Sequence, residues 1–432
     1  FLYFYKKNVM RKSISKIYSI IVLSFVTSTI SNAQFTLFNN GNSGLANNDC
    51  WYVNQNSNGT VWVGTTTGGA YTYSSSTWTN FKTSNSNIGA NYITPISFEP
   101  NGDVWLGSYN SNAGVSKYSS GTWTKYNTSN SGLPHNDVLA IVFDSQNNKW
   151  IGTRGGGLAK FNGTTWVVYN TSNSNIPSNF IYSLEIDNIG NIWVGTALSG
   201  LAKFDGANWT SYTTSNSSLP NDDVYSLKYN TATNKLWIGT NGGLAILSGT
   251  NWTIYDTSSS ANFPSNYVRG ITHSSSTGNT YIATGNGGIG RFDGFTWTTY
   301  NSSNSNLPSN QVWSINTNNT GTIWASTISN GVVSMADVFS SVNEHPNIIN
   351  QVSVFPNPTK NAINFDVKTS KFGNGRILVY DALGKIVNEL SITVSSNLNS
   401  VFSVETNLFS KGIYSYNFIF EEDQKSGKFI VE

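Results

Sequence analysis

The chain has 432 residues, of which 14% are aromatic and only 11% charged, and its net charge is +2. Few charges combined with many aromatics and small polar residues exclude a charge-rich helical protein and favour strands joined by tight turns. Without a basic block in the body of the chain, nucleic acid is excluded as a partner, and the single cysteine, Cys50, excludes an internal disulfide and any multi-cysteine metal site.

The first element reads as an export signal. Met10-Arg11-Lys12 and Lys16 give a positive start, Ile17 to Val26 is mostly apolar, and Ser31-Asn32-Ala33 offers small residues for cleavage. The apolar run is too short to cross a bilayer. Residues 10–33 are therefore expected to be a signal peptide, with the mature chain starting near Gln34 and no transmembrane segment left after cleavage. Residues 1–33 hold five basic and no acidic groups, so the remainder has 19 basic against 22 acidic side chains, a net of −3.

From residue 34 to 338 two phrases alternate. One begins at Phe35, Trp78, Trp123, Trp166, Trp209, Trp252 and Trp297, as in WTKYNTSNSGLPHN at 123–136. The other is Trp62-Val-Gly-Thr, repeated at Trp105, Trp150, Trp193, Trp237, Tyr281 and Trp324, 43 to 45 residues apart. Within 137–179 the unit reads DVLAIVFD, KWIGT, LAKF and WVVYN, four short strands separated by Asn- and Gly-containing turns. Four strands per 43-residue unit describe a propeller blade. The series opens on an unaccompanied fourth strand, FTLFNN, and ends on TIWASTISNGVVSMADV, which lacks one. The two remnants predict a seven-bladed β-propeller whose ring is closed by the N-terminal strand, leaving no open sheet edge between the first and last blades.

Candidate site residues lie where the repeats disagree. The residue after the first apolar residue of each innermost strand is Trp51, Thr94, Leu139, Tyr182, Tyr225, Arg269 or Trp313. Two positions earlier stand Asp49, Tyr92, Asp137, Phe180, Asp223, Tyr267 and Gln311. A repeat keeps its structural positions uniform, so this variation marks one mouth of the central channel as a ligand site, with Trp51, Tyr182, Tyr225, Arg269, Trp313 and Arg154 as binding residues. Aromatic platforms beside hydrogen-bonding groups suit a glycan or a protein chain. The uniform second-strand Trp and Tyr read instead as filling between blades.

Catalytic signatures are sparse. His135, His273 and His345 fall in different units, and no metal-binding, nucleophile-elbow or Walker spacing occurs. Asp103, Asp144, Asp187, Asp205 and Asp293 sit at turns, where Asp bonds its own backbone. No cofactor or metal is implied. A hydrolase or lyase acting on polysaccharide would need at least three of Asp49, Asp137, Asp223, His135, Arg154 and Arg269 to converge in one cleft. A purely structural surface or adhesion component stays open beside the binding and enzymatic readings.

The segment Phe180 to Tyr212 contains Asp187-Asn-Ile-Gly-Asn-Ile-Trp-Val-Gly-Thr, then Gly200-Leu-Ala-Lys-Phe-Asp-Gly, then Trp209-Thr-Ser-Tyr. These residues resemble the two-component-regulator propeller repeat family, and the likeness extends over the repeats. In that family such repeats commonly form the periplasmic sensing part of membrane histidine kinases.

After a polar link at 339–350, residues 351–432 alternate apolar and polar residues between turns, as expected of a small antiparallel β-sandwich. The pieces Pro356-Asn357-Pro358, Val379-Tyr380-Asp381 with Gly384-Lys385, Gly412-Ile413-Tyr414 and Gly427-Lys428-Phe429-Ile430-Val431 are similar to the C-terminal sorting domain of the type IX secretion system of Bacteroidetes. That resemblance implies the type IX machinery as a partner. It also implies passage through the periplasm to the outer cell surface or the medium, and removal of the tail.

Overall fold

The computed structural model describes residues 35–110, 112–317, 321–337, 349–382, 385–420 and 423–432. The expected signal peptide and His345 lie outside them. The chain divides into two compact units at the junction of Asp337 and Val338.

The first unit is all-β, built from seven four-stranded antiparallel sheets in sequence. Blade 1 spans Cys50–Phe81, blade 2 Ile93–Tyr126, blade 3 Val138–Tyr169 and blade 4 Ile181–Tyr212; blade 5 is Val224–Tyr255, blade 6 Val268–Tyr300 and blade 7 Val312–Ala336. Thr36–Phe38 pairs with the third strand of blade 7, Thr36 opposite Ser334 and Phe38 opposite Val332, and supplies that blade's outer strand. Each inner strand packs beside the next around the ring, and the inner strand of blade 7 packs beside that of blade 1.

The Trp-x-Gly-Thr phrase has a separate reason at each position. The Trp, or Tyr281 in blade 6, is buried between blades: Trp105 packs with Leu133 and Val138, Trp150 with Ile176 and Ile181, and Trp193 with Leu219 and Val224. At Gly152 a Cβ would meet Ile181 Cγ2 at 2.6 Å, so any side chain would push the next inner strand away. The Thr hydroxyl donates to the carbonyl of the glycine that closes the following turn, Thr65 to Gly69 at 2.9 Å and Thr153 to Gly157 at 2.7 Å.

The connectors are hydrogen-bonded knots. In 127–136, Asn130 Oδ1 accepts from the N–H of Asn127, Asn136 Oδ1 from that of Thr128, and Ser131 Oγ donates to the carbonyl of Asn127, while Leu133 plugs into the core. The same bonds recur at 170–179 and 301–310. Asn, Thr and Ser therefore recur because their side chains replace the ladder partners that the crossing backbone lacks.

The second unit is a sandwich of a three-stranded sheet (Ile349–Phe355, Ala362–Thr369, Asn399–Glu405) and a four-stranded sheet (Gly373–Tyr380, Ile386–Val394, Gly412–Phe420, Asp423–Val431). Both sheets contribute to one core, including Phe365 and Val367 from the first and Ile377, Phe418 and Phe429 from the second.

Candidate functional site at the channel mouth

Every inner strand carries a β-bulge near its start. Pairing with the second strand slips between Cys50 and Tyr52, Val138 and Ala140, Ile181 and Ser183, Val224 and Ser226, Val268 and Gly270, and Val312 and Ser314. In blade 2 the slip lies between Ile93 and Ile96, where Pro95 has no N–H to offer the ladder. The residues left out of register are Trp51, Leu139, Tyr182, Tyr225, Arg269 and Trp313, together with Thr94. A bulge re-aims a side chain without ending the strand. All seven line a single cavity of about 330 Å³ with Tyr52, Tyr109, Arg154 and Phe180. The six residues expected at the mouth, Arg154 included, are thus neighbours of one cavity.

An unbroken circuit of ring and guanidinium contacts joins most of these residues, passing through Tyr92, which does not line the cavity. Trp313 meets Trp51 at 4.4 Å between centroids, Trp51 meets Tyr92 at 5.3 Å, and Tyr92 meets Tyr109 at 5.1 Å. Arg154 bridges Tyr109 and Phe180 at 5.0 and 5.4 Å. Phe180, Tyr182 and Tyr225 follow at 4.8 Å each, and Arg269 closes the circuit, 4.5 Å from Tyr225 and 3.8 Å from Trp313. Such contacts fix the rings as rigid platforms.

The three aspartates near the mouth are occupied as ties between blades. Asp137 Oδ1 accepts from the N–H of Asn110 at 2.7 Å, Asp223 Oδ1 from that of Leu198 at 3.0 Å, and Asp49 Oδ1 from Ser329 Oγ at 2.8 Å. None of them lines the cavity, nor does His135, whose Nδ1 accepts from the N–H of Asp137. Of the six residues from which a hydrolytic cleft would need at least three, only Arg154 and Arg269 line the cavity. Of the turn aspartates, Asp144, Asp187, Asp205 and Asp293 accept backbone N–H groups of their own turns, whereas Asp103 pairs with Lys117 at 2.7 Å. Among the described residues no cluster of three or more His, Cys, Asp or Glu could hold a metal ion.

Beyond the mouth, a second cavity of about 250 Å³ follows the inner strands and shares Tyr52, Leu139, Tyr182, Tyr225, Arg269 and Trp313 with the first. Glu185 and Lys228 face each other there at 3.7 Å. Burial raises the Glu185 carboxyl above its usual range against the pull of Lys228, and burial with the nearby Glu185 pushes the Tyr52 phenol up to about 12. His273 bonds Thr280 Oγ1 through Nδ1. Tyr109 and the bulge itself escaped sequence reasoning. Tyr109 lies in a turn after the second strand, outside the compared columns, and a bulge adds no residue type of its own.

In the second unit Pro356-Asn357-Pro358 meets the terminal strand. Asn357 Oδ1 accepts from the N–H of Ile430 at 2.9 Å, and Thr359 exchanges backbone bonds with Ile430 and Glu432. Tyr414 is buried and its hydroxyl donates to the carbonyl of Ser410, while Lys385 closes the hairpin with Asp381; Lys428 is exposed on the strand facing Gly412–Phe420. Gly384 lies outside the described residues.

Residues 353–432 match the family described as the secretion system C-terminal sorting domain. The chain carries a type IX sorting domain. Residues 175–197 match the two-component-regulator propeller family. The sorting domain sends the protein through the type IX secretion system to the cell surface. Its terminal strand and its Pro-Asn-Pro segment, distant in sequence, are one hydrogen-bonded feature. Among solved structures, the extracellular domain of a hybrid two-component system from B. thetaiotaomicron is 18% identical with a TM-score of 0.63, covering 92% of this chain and 57% of its own. That of a one-component system from the same organism is 15% identical with a TM-score of 0.58, covering 93% and 59%. YCF48 from Cyanidioschyzon merolae is 15% identical with a TM-score of 0.51, covering 70% of this chain and 98% of its own. These likenesses establish the propeller fold. The sorting-domain protein spans less than three-fifths of the two B. thetaiotaomicron domains. No curated protein matches it in sequence. Among the described residues no helix is long and apolar enough to cross a membrane.

Proposed function

We propose that this exported propeller is a surface binding protein that holds a saccharide in its aromatic channel mouth. One observation carries the reading: the non-uniform residues of all seven repeats are bulged out of the ladder into one cavity. A cavity of about 330 Å³ admits one or two sugar rings, not the flank of a folded protein. Rigid Trp and Tyr faces supply stacking area at small entropic cost, and the phenols and guanidinium groups supply hydrogen bonds.

The test is a saccharide array probed with the chain from Gln34 onward, followed by calorimetry on any binder. Trp51→Ala is expected to weaken binding by roughly tenfold or more, as for a buried aromatic anchor. A broad array without a binder, or a binder indifferent to Trp51, would sink the proposal.

A further inference from the structure

The two arginines of the mouth are held differently. Arg154 stands 3.8 Å from Asp137, and its side chain is 42% exposed. Arg269 has no carboxylate within ion-pair distance among the described residues. Its guanidinium lies over the rings of Trp313 and Tyr225, at 3.8 and 4.5 Å. It donates to Tyr267 Oη at 3.1 Å, and its Nε is buried without an acceptor.

Ring faces stabilise the charge of a guanidinium but do not accept from its N–H edge, which carries five donors in one plane. Asp223, whose charge reaches Tyr182 and Tyr225, commits Oδ1 to the N–H of Leu198. The mouth therefore holds a cation whose edge has one neutral acceptor, the Tyr267 hydroxyl, and no carboxylate, in a cavity of ligand size. Three rings approach the guanidinium, Trp313, Tyr225 and, at 5.3 Å, Tyr267. A carboxylate is planar and pairs with a guanidinium edge through two parallel hydrogen bonds.

Resting on the reading of the mouth as a saccharide site, we infer that the sugar it takes is acidic, a uronic acid residue whose carboxylate docks against the edge of Arg269. The ring of that residue would stack on the aromatic wall while its carboxylate supplies the charged acceptor that Arg269 lacks, at the terminal N–H groups that Tyr267 does not take.

The test compares matched pairs of oligouronides, each as the free acid and as its methyl ester, against the full chain from Gln34 at low salt by calorimetry. Esterification removes the charge and leaves the ring faces intact. The free acid is expected to bind roughly ten- to a hundredfold more tightly, as for a hydrogen bond to a charged group. Arg269→Gln is expected to erase that difference, and Arg269→Lys to restore part of it. Equal affinity of acid and ester for the unaltered chain would overturn the inference, and this comparison needs no variant to fold. So would a discrimination that survives Arg269→Gln with native near-ultraviolet dichroism, or a sulfated sugar bound more tightly than its uronate counterpart. Should neutral saccharides bind in a Trp51-dependent way while acids gain nothing, the acidic preference fails and the saccharide site stands. Should no saccharide of either kind bind, both fall.

Discussion

The side-chain amide of Asn306 clasps the backbone of Phe35. Its Oδ1 accepts from the N–H of Phe35 at 2.8 Å and its Nδ2 donates to the carbonyl of the same residue at 2.8 Å. Phe35 leads directly into Thr36–Phe38, the strand that closes the ring. Asn306→Ala is expected to cost about 2 kcal/mol, the net value of two part-buried hydrogen bonds. Hydrogen exchange should rise first in Thr36–Phe38 and in its partner Gly331–Ala336. Uniform exchange across all blades would show that closure does not depend on this clasp.

A buried charge cluster joins blades 2 and 3. Glu99 accepts from Lys149 Nζ at 2.6 Å, from Trp105 Nε1 at 2.9 Å and from Asn147 Nδ2 at 2.7 Å. Burial alone would raise the Glu99 carboxyl, but the bonds from Lys149, Trp105 and Asn147 hold it below its usual value. Lys149→Met should cost about 1.5–3 kcal/mol in chemical denaturation, the value of a hydrogen bond to a charged group, because Lys117 remains 3.7 Å from Glu99. Adding Glu99→Gln should recover part of that loss. The stabilisation from Glu99 is present above its unfolded value and is lost as pH falls through the lower folded one.

His273 makes stability depend on mild acid. Burial, reinforced by Lys228, lowers its folded pKa from 6.5 to about 4. The unfolded chain takes up this proton below about 6.5 and the folded chain only near 4, so the fold loses stability across that window as pH falls. The full effect is on the order of 3 kcal/mol by pH 4. Thermal melts of the unaltered chain should fall more steeply between pH 7 and 4 than those of His273→Gln. Parallel profiles would assign the acid sensitivity elsewhere.

Two tryptophans of blade 7 should behave oppositely. Trp324 is buried between blades against Phe38 and Tyr73, and Trp324→Ala should cost about 3–5 kcal/mol. Trp313 lies in the bulge, outside the ladder, and Trp313→Ala should cost less than half as much while weakening saccharide binding. Similar melting losses for both would mean that Trp313 is filler and not part of a site.

The repeat made the fold legible because each phrase answers a local demand. Trp150 fills the gap between blades, Gly152 clears the next strand and Thr153 locks the turn, so three letters disclose a blade. The mouth was legible by the opposite sign, as the column where Trp51, Leu139 and Arg269 occupy equivalent places. Tyr109 was not, because its turn has no matching column. The isolation of Arg269 was not either, because whether a carboxylate lies within reach is a matter of distance across blades. The connector code of Asn127, Asn130 and Asn136 read only as polarity, since the bonds that use it form after the backbone has turned.

The bulge has a consequence for how such a protein changes over generations. Six of the seven mouth side chains occupy a position skipped by the pairing register, so exchanging one rewrites the chemistry of the opening while the ladders on either side persist. The seven repeats act as interchangeable sockets around one hole. Under the proposed reading of the mouth, a point substitution there alters what the opening offers a ligand without refolding the ring.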